Sequence, residues 1–296
     1  MCSKDPAATR SIRASAARHC AAAFTIIELL AVIAIMAIIA AMVGPTLTGF
    51  RKGDVILSST RQTLDAVAYA RQLAISGHTT VYMVFVPPGF WGPDADAFVA
   101  GLTPSERPII TNMLEKQYSG YAFLTLRSMG DQPGRSTPRY LSSWQKLPEG
   151  AFIPAWKFQY RPIDSPPGSF IFRISNRITG QTFDVGGFLT NSFPVPENAF
   201  YNQAPYFNTN TTLPYVAFNY LGQLTSGDGQ LLDRDEYIPL AHGSVVVAYD
   251  QNRRPVMDRT GTTNRESPPW NSTNSYNLIH IDRLTGRARL EHQEVM

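Results

Sequence analysis

The stretch that decides the fold is Ala-Ala-Ala-Phe-Thr-Ile-Ile-Glu-Leu-Leu-Ala-Val-Ile-Ala-Ile, residues 21–35. It lies in an apolar run from Phe24 to Val43 whose single charge is Glu28. At about 1.5 Å per residue, a helix of about 20 residues covers about 30 Å, the thickness of the hydrocarbon core of a bilayer. The run is therefore predicted to form a membrane-spanning helix.

The residues before this run are mainly basic, and they predict its orientation. They include Lys4, Arg10, Arg13 and Arg18 against one acid, Asp5. Because basic flanks stay cytoplasmic, the larger C-terminal part is predicted to lie outside the cytoplasm. A secretory signal peptide is the alternative. Its apolar region is shorter and ends in a small-x-small cleavage site, which Gly44-Pro45 and the following Thr-Leu-Thr do not clearly supply.

Loss of the first 23 residues would change the chemistry of the chain. The 296-residue chain has 26 basic residues, 23 acidic residues and two cysteines, Cys2 and Cys20. Without that segment, 22 basic and 22 acidic residues remain, with no thiol. A disulfide framework or a cysteine metal site is then impossible, and net charge gives no reason to expect a polyanionic partner.

The order of residues around Phe24 resembles the class III signal of type IV pilins and type II secretion pseudopilins. In that family a basic leader ends at a small residue, a Phe begins the mature chain and a Glu follows four residues later. Ala23, Phe24 and Glu28 occupy these positions, although Ala23 stands where Gly is usual. The resemblance implies cleavage between Ala23 and Phe24 by a prepilin peptidase, and N-methylation of Phe24.

The same resemblance implies assembly roles for Glu28 and Pro45. A carboxylate in a membrane helix is costly unless it is paired. The resemblance implies that Glu28 pairs with the Phe24 amino group of a neighbouring subunit; the alternative is an interfacial acid with no role. Pro45 matches the kink proline of the family, and Gly44-Pro45 is predicted to kink or locally melt the helix.

Residues 51–76 are predicted to continue the helix, with Gly77 as its C-cap. Leu57, Leu64, Val67, Ala68 and Ile75 recur at helical spacing and predict the face that packs against the head. The remaining candidate elements are a short helix at 103–117 and strands at 79–86, 121–126, 151–153, 158–161, 170–174, 182–185, 216–220, 244–249, 278–281 and 287–290. The segments 87–108, 130–139, 162–168 and 191–214 are predicted loops. The predicted fold class is α+β, a long N-terminal helix packed on an antiparallel β-sheet.

Four segments of the head resemble H-type (GspH/FimT-like) minor pseudopilins. They begin at Ala70, Trp144, Phe218 and Thr285, and they occur in the order of that subfamily. This chain is longer than typical members, with insertions mainly within 87–143 and 155–214. Aromatic residues in these regions are expected to face cargo or neighbours, or to pack in the core; they are Phe90, Trp91, Trp144, Trp156, Phe193 and Tyr206.

No catalytic, cofactor or metal signature emerges from the sequence. His242 and His280 are interpreted as satisfied groups at strand edges, and no pair of histidines has metal-ligand spacing. The one acidic cluster contains Asp228, Asp233 and Asp235; it predicts a solvated loop, with calcium binding as the alternative.

Arg287 and Arg289 fall on one face of the last predicted strand. Minor pilins used in competence carry a Gly-Arg-x-Arg motif there that binds DNA, so DNA binding is one interpretation. The other is a solvated hairpin whose arginines pair with Asp282 or Glu291, and a formal charge of zero makes nucleic acid the less favoured partner.

These patterns predict a leader peptide at 1–23, a transmembrane and spine helix at 24–76, and a β-rich extracytoplasmic head at 77–296. The expected function is a structural minor pseudopilin of a type II secretion system, anchored in the inner membrane and assembled into a periplasmic filament. Its expected partners are a prepilin peptidase, other pseudopilins or pilins, the inner-membrane assembly platform and the lipid bilayer. The alternatives are a type IV pilus subunit or minor pilin with a DNA-binding or adhesive head, and a membrane-anchored enzyme.

Overall fold

A computed structural model describes residues 25–91, 100, 104, 107–127, 137–159, 172–175, 182–194, 210–227, 229–249, 251–252, 262–274 and 276–291. The chain divides into two compact units, Met1–Gly49 and Phe50–Met296. Helix α1, Ile26–Gly77, runs through both units. It continues through Gly44 and Pro45, so the predicted local melting is wrong, and a kink at Pro45 stays a prediction.

The second unit combines this helix with antiparallel β-sheet. In chain order the elements after α1 are β1 Val81–Phe85, α2 Arg107–Leu114, β2 Gly120–Thr125, β3 Arg139–Tyr140, β4 Gln145–Lys146, β5 Ala151–Phe152, a 3-10 turn Ala155–Phe158, β6 Phe172–Ser175, β7 Thr182–Val185, β8 Leu189–Pro194, β9 Asn210–Phe218, β10 Leu224–Thr225, β11 Glu236–Val247, β12 Thr262–Glu266, α3 Asn271–Asn274, β13 Asn277–Ile281 and β14 Ala288–Glu291. The predicted α+β class is confirmed.

Two sheets and one hairpin contain all the described strands. The first sheet has the order β10-β9-β1-β2-β3, with β4 also paired to β2 and β8 to β9. The second has the order β12-β11-β13-β14, with β5 also paired to β11, and β6 pairs with β7. Every one of these pairings is antiparallel.

Helix α1 packs on the head through its small residues. The buried positions are Ser59, Thr60, Thr63, Ala66, Val67, Ala70 and Ala74, which recur at helical spacing. The hydroxyls of Ser59, Thr60 and Thr63 bond to carbonyls one turn earlier, so no buried hydroxyl on this face lacks a partner. Small side chains let the helix lie close to the large residues of the sheets. Two members of the predicted face are confirmed, because Val67 is buried and Leu64 packs against the core. Two others are wrong, because Leu57 is 40% exposed and Ala68 is also exposed.

The first sheet has a hydrophobic core on each face. Met83, Phe85 and Phe123 point toward α1, whereas Val84 and Leu124 point to the opposite face. That opposite face is covered by α2 and the loop after β1, whose buried members include Ile110, Met113, Phe90 and Trp91. The insertion after β1 therefore completes a second core. Phe90, Trp91 and Phe193 are buried, so these three residues pack in the core. Tyr206 lies outside the described residues.

Several local predictions were wrong. Part of the predicted loop 191–214 forms strand, because the polar residues of β8 pair with the first half of β9 from Leu189↔Tyr215 to Pro194↔Asn210. Phe158 ends a 3-10 turn, and the polar strand β12 was not predicted. By contrast, the C-cap prediction is confirmed: α1 ends at Gly77, and the next residue, His78 (φ 45°), is the left-handed one. The N–H groups of Thr79 and His78 donate to the carbonyls of Ala74 (3.2 Å) and Ile75 (3.4 Å), as in a Schellman motif.

Candidate assembly site at the start of the N-terminal helix

Helix α1 begins with a capping box made by Thr25 and Glu28. The backbone N–H of Glu28 donates to Thr25 Oγ1 at 3.3 Å. In return, Oε2 of Glu28 accepts from the backbone N–H of Thr25 at 3.0 Å and from its hydroxyl at 2.9 Å. Two backbone donors that the helix leaves unsatisfied are thus bonded, which stabilises a helix start at Ile26.

The two oxygens of the Glu28 carboxylate have different surroundings. Both bonds within the box fall on Oε2, and among the described residues Oε1 accepts no hydrogen bond. Glu28 is exposed in the single chain. One oxygen therefore holds the start of the helix, and the other is accessible to a donor from another molecule.

The turns that follow the box are apolar on all sides. Ten large side chains between residues 26 and 39 are each at least 44% exposed: Ile26, Ile27, Leu29, Leu30, Val32, Ile33, Ile35, Met36, Ile38 and Ile39. A helix that is hydrophobic around its whole circumference needs lipid or other protein to cover it. Within the residues whose side chains are described, no helix meets the length and apolarity needed to cross a membrane.

The remaining predicted residues of this site are only partly visible. Ala23 and Phe24, on either side of the predicted cleavage point, lie outside the described residues. Pro45 lies inside α1, and the side chains of residues 40–54 are likewise outside the description. Thr25 had no role in the sequence-based prediction, although the Thr-x-x-Glu spacing is the standard signal of a capping box.

The last hairpin brings the second candidate site, Arg287 and Arg289, to the surface. Arg289 lies in β14; its Nη2 donates to Glu291 Oε1 at 3.1 Å and its Nε to His280 Nδ1 at 3.0 Å. Arg287 precedes the strand and is exposed. One of the two arginines is therefore paired with Glu291, as the solvated-hairpin interpretation expects, and DNA binding stays untested.

His280 is buried beneath this arginine, in a strand that has neighbours on both sides. Its Nε2 lies 2.7 Å from Oδ2 of Asp235, and its ring stacks on Tyr237 with centroids 4.7 Å apart. Its other ring nitrogen, Nδ1, lies 3.0 Å from Nε of Arg289 and 3.0 Å from Oε1 of Glu291. The second histidine, His242, has its Nδ1 2.7 Å from the Ser267 carbonyl. Both rings have partners as predicted, but β11 and β13 are not edge strands.

One member of the acidic cluster, Asp235, is hydrogen-bonded to the last hairpin. Oδ1 of Asp235 accepts from the backbone N–H of Arg283 at 2.9 Å, while its other oxygen contacts His280. Asp228 lies outside the described residues. Among the described residues, no group of three or more His, Cys, Asp or Glu side chains is placed to hold a metal ion. Calcium binding at this loop stays untested.

Three of the segments that resemble H-type pseudopilins meet at one junction. Nε of Arg71, in α1, donates to the carbonyl of Thr285 at 2.7 Å. Gly286 (φ 60°) lies so close to the Gly222 carbonyl that a Cβ would fall 2.0 Å from its oxygen. Gly222 (φ 78°) in turn packs against Arg71 and Ile75. Both glycines have a positive φ; in addition, Gly286 meets the backbone of Gly222, and Gly222 meets the side chains of Arg71 and Ile75.

Comparison with known protein families gives a match at the same end of the chain as the capping box. Residues 18–44 match the model of the prokaryotic N-terminal methylation motif. No curated protein and no solved structure matches the chain. The chain is thus a prepilin-like protein with an N-terminal methylation motif, and this motif implies processing by a prepilin peptidase and a place in the inner membrane as a precursor. Pilin-like proteins are typically non-enzymatic structural subunits.

Proposed function

We propose that this protein is a structural minor pseudopilin of a type II secretion system. A prepilin peptidase cleaves it between Ala23 and Phe24 and methylates the new amino group of Phe24. The helix that follows leaves the bilayer by packing against the helices of other subunits in a periplasmic filament. The observation that carries this proposal is a methylation motif that leads directly into a capped helix with an uncovered apolar surface.

Glu28 has two roles in this proposal. Oε2 caps its own helix, and Oε1 accepts the charged amino group of Phe24 from a neighbouring subunit. A carboxylate and an amine that are each costly in an apolar environment then satisfy one another. Pairing at one fixed position gives the register of a new subunit, and the apolar side chains after it supply packing area.

We include the H-type subfamily in the proposal because of a set of contacts within the head. The junction of Arg71, Gly222 and Gly286 joins segments that are far apart in sequence and that the resemblance selected independently. Such a junction fixes the last hairpin on the C-terminal end of α1. A type IV pilus subunit is the second candidate, because the same methylation motif serves both systems. Deletion of the gene distinguishes them: loss of exoprotein secretion supports the pseudopilin, and loss of surface pili supports the pilin.

Two substitutions separate the roles of Glu28. Glu28→Gln keeps an acceptor for the Thr25 backbone N–H but removes the charge, whereas Thr25→Ala removes the hydroxyl of the capping box and keeps the charge. We expect Glu28→Gln to reduce incorporation into filaments strongly, and Thr25→Ala to have the smaller effect. Incorporation is measured by the amount of each chain in sheared or cross-linked filaments at equal membrane levels. Normal incorporation of Glu28→Gln would disprove the pairing.

A further inference from the structure

Two turns beside the C-terminal end of α1 present large apolar side chains to solvent. Tyr220 and Leu221 lie in the turn between β9 and β10, and Leu284 lies in the turn between β13 and β14. Their exposed fractions are 56%, 58% and 52%. Single exposed apolar residues are common on proteins, but a group of them indicates a surface that another molecule covers.

Backbone contacts hold the two turns side by side. The N–H of Leu224 donates to the Arg283 carbonyl at 3.0 Å, so the chain that leaves the first turn is bonded to the second turn. Gly222 and Gly286, one from each turn, meet at the junction with α1. The apolar side chains therefore share a fixed support. A surface that is already ordered loses little conformational entropy when it binds.

Two arginines at these turns have no acidic partner among the described residues. Arg71 is held by its Nε, which donates to the Thr285 carbonyl at 2.7 Å, and Arg287 is exposed. The ion pairs within the described ranges involve other cations, namely Lys157, His280 and Arg289. Asp282, the acid of the last turn, already accepts from Thr285 through Oδ1, from the N–H at 2.7 Å and from the hydroxyl at 2.8 Å. We call Tyr220, Leu221, Leu284, Arg71 and Arg287 the two-turn surface. It combines exposed apolar side chains with positive charge that is not neutralised.

This combination fits a protein partner that carries acidic side chains beside an apolar patch. Apolar side chains form the core of protein interfaces, and charges around them select the partner. A nucleic-acid backbone would pair with the arginines but leave the apolar side chains uncovered. A second copy docked through the same surface would bring arginine against arginine, which is repulsive. A bilayer is less suitable, because the head begins at Phe50 and about 40 Å of helix separates that residue from Gly77.

We propose that the two-turn surface binds a different subunit of the same filament, at an apolar patch of that subunit bordered by aspartate or glutamate. The choice of a filament subunit as the partner rests on the proposed function. Arg287 then serves a protein contact, while Arg289 stays paired with Glu291 inside the hairpin. The two-turn surface shares no residue with the apolar turns at the start of α1. It can therefore select one particular neighbour, while the N-terminal helices supply packing area common to all subunits.

Pairwise co-expression of the full chain with each of the other pseudopilins of its secretion system tests this contact. The tagged chain is purified from membranes in mild detergent, and the partner that it retains is quantified at equal amounts of the tagged chain. We expect one pseudopilin to be retained above the others, and its retention to fall as the salt concentration rises. Leu284→Asp should reduce retention at least about tenfold, because it places a charge among apolar side chains. Arg287→Glu should reduce it about threefold to tenfold, because it replaces an attraction by a repulsion.

Trp270→Asp is the matched control for Leu284→Asp. It places the same charge at an apolar side chain that is 73% exposed, in the turn after β12, and it should leave retention unchanged. Thermal unfolding followed by circular dichroism confirms that each variant is folded. Equal losses in the two aspartate variants, or no loss in Leu284→Asp, would overturn the two-turn surface.

Two further probes test the other classes of partner. If Arg287→Glu weakens binding to a double-stranded DNA oligonucleotide but leaves subunit retention unchanged, the protein contact is overturned in favour of nucleic acid. If Leu284→Asp abolishes flotation with phosphatidylglycerol vesicles but leaves retention unchanged, it is overturned in favour of a bilayer. A natural chain that enters filaments but retains no pseudopilin through this surface would overturn the contact alone. A natural chain that never enters filaments would overturn the proposed function as well.

Discussion

Lys157 is the most deeply buried charge among the described residues, and leaving it without its counter-ion, Glu236, should be costly. The side chain is 0% exposed, donates to Glu236 Oε1 and to the Gly186 carbonyl (2.8 Å), and lies 4.5 Å from the centroid of the Phe188 ring. Burial lowers the pKa of Lys157 from its ordinary value, and the neighbouring Glu236 opposes that shift. These contacts hold the 3-10 turn and the segment after β7 on the start of β11.

Glu236→Gln should therefore destabilise the head by about 3–5 kcal/mol at pH 7. The variant leaves the Lys157 charge buried without a counter-ion, and the chain avoids this only by losing the proton. Deprotonation costs about 1.36 kcal/mol for each of the roughly 3.5 pH units between 10.5 and neutral pH, about 4.8 kcal/mol in all. This sets the upper end of the range. The cost should shrink as the solution pH rises toward the ordinary pKa of lysine.

Lys157→Met is the matched variant and should cost less, about 1–3 kcal/mol. Without the ammonium group of Lys157, Glu236 still has 13% of its side chain exposed to solvent and still accepts a hydrogen bond from the Tyr237 N–H at 2.8 Å. The free energy of unfolding is measured by urea denaturation of the detergent-solubilised full chain at pH 7 and pH 9.5, followed by tryptophan fluorescence. A Glu236→Gln chain that is more stable than Lys157→Met, or whose deficit does not change with pH, would refute this reasoning.

Three further predictions concern the last hairpin and its neighbours. Gly286→Ala should cost about 1–3 kcal/mol more than Gly229→Ala in the same denaturation assay, because both positions have positive φ but only the first has a carbonyl in the way of a Cβ; equal costs would contradict the packing of the junction. Burial, and next Glu291, raises the pKa of Tyr237 to about 12. Its contribution to stability is thus complete below pH 10 and is lost as pH rises toward 12, so Tyr237→Phe should show a shallower alkaline loss than the natural chain. A double Arg287/Arg289→Ala variant should leave DNA affinity and its salt slope unchanged in a mobility-shift assay, whereas a clear drop in either would favour DNA binding.

The parts of the fold that the sequence predicted are those decided by local pattern. The apolar run beginning at Phe24 predicts a helix by its length alone. Residues 79–86 predict a strand because they form a β-branched and aromatic run, and the observed strand, Val81–Phe85, is buried on both faces. The last hairpin was predicted because Asp282 and Gly286 provide turn chemistry between the candidate strands 278–281 and 287–290.

The parts that the sequence did not predict depend on partners that are distant along the chain. β8 has three consecutive polar residues, Thr190 to Ser192, and a terminal proline, and it is a strand because β9 lies beside it. The buried face of α1 was predicted only in part: Val67 and Leu64 pack as expected, but most of the face consists of Ala, Ser and Thr side chains, which carry no strong apolar signal in the sequence.

The most direct test of the account is mass spectrometry of the intact chain purified from membranes that contain its prepilin peptidase. We predict a single species that begins at Phe24 and carries one added methyl group on the amino nitrogen. Deletion of the peptidase gene should return the chain to its full precursor mass. A chain that keeps its arginine-bearing first 23 residues in the presence of the peptidase, or that begins at any other residue, would contradict the central claim.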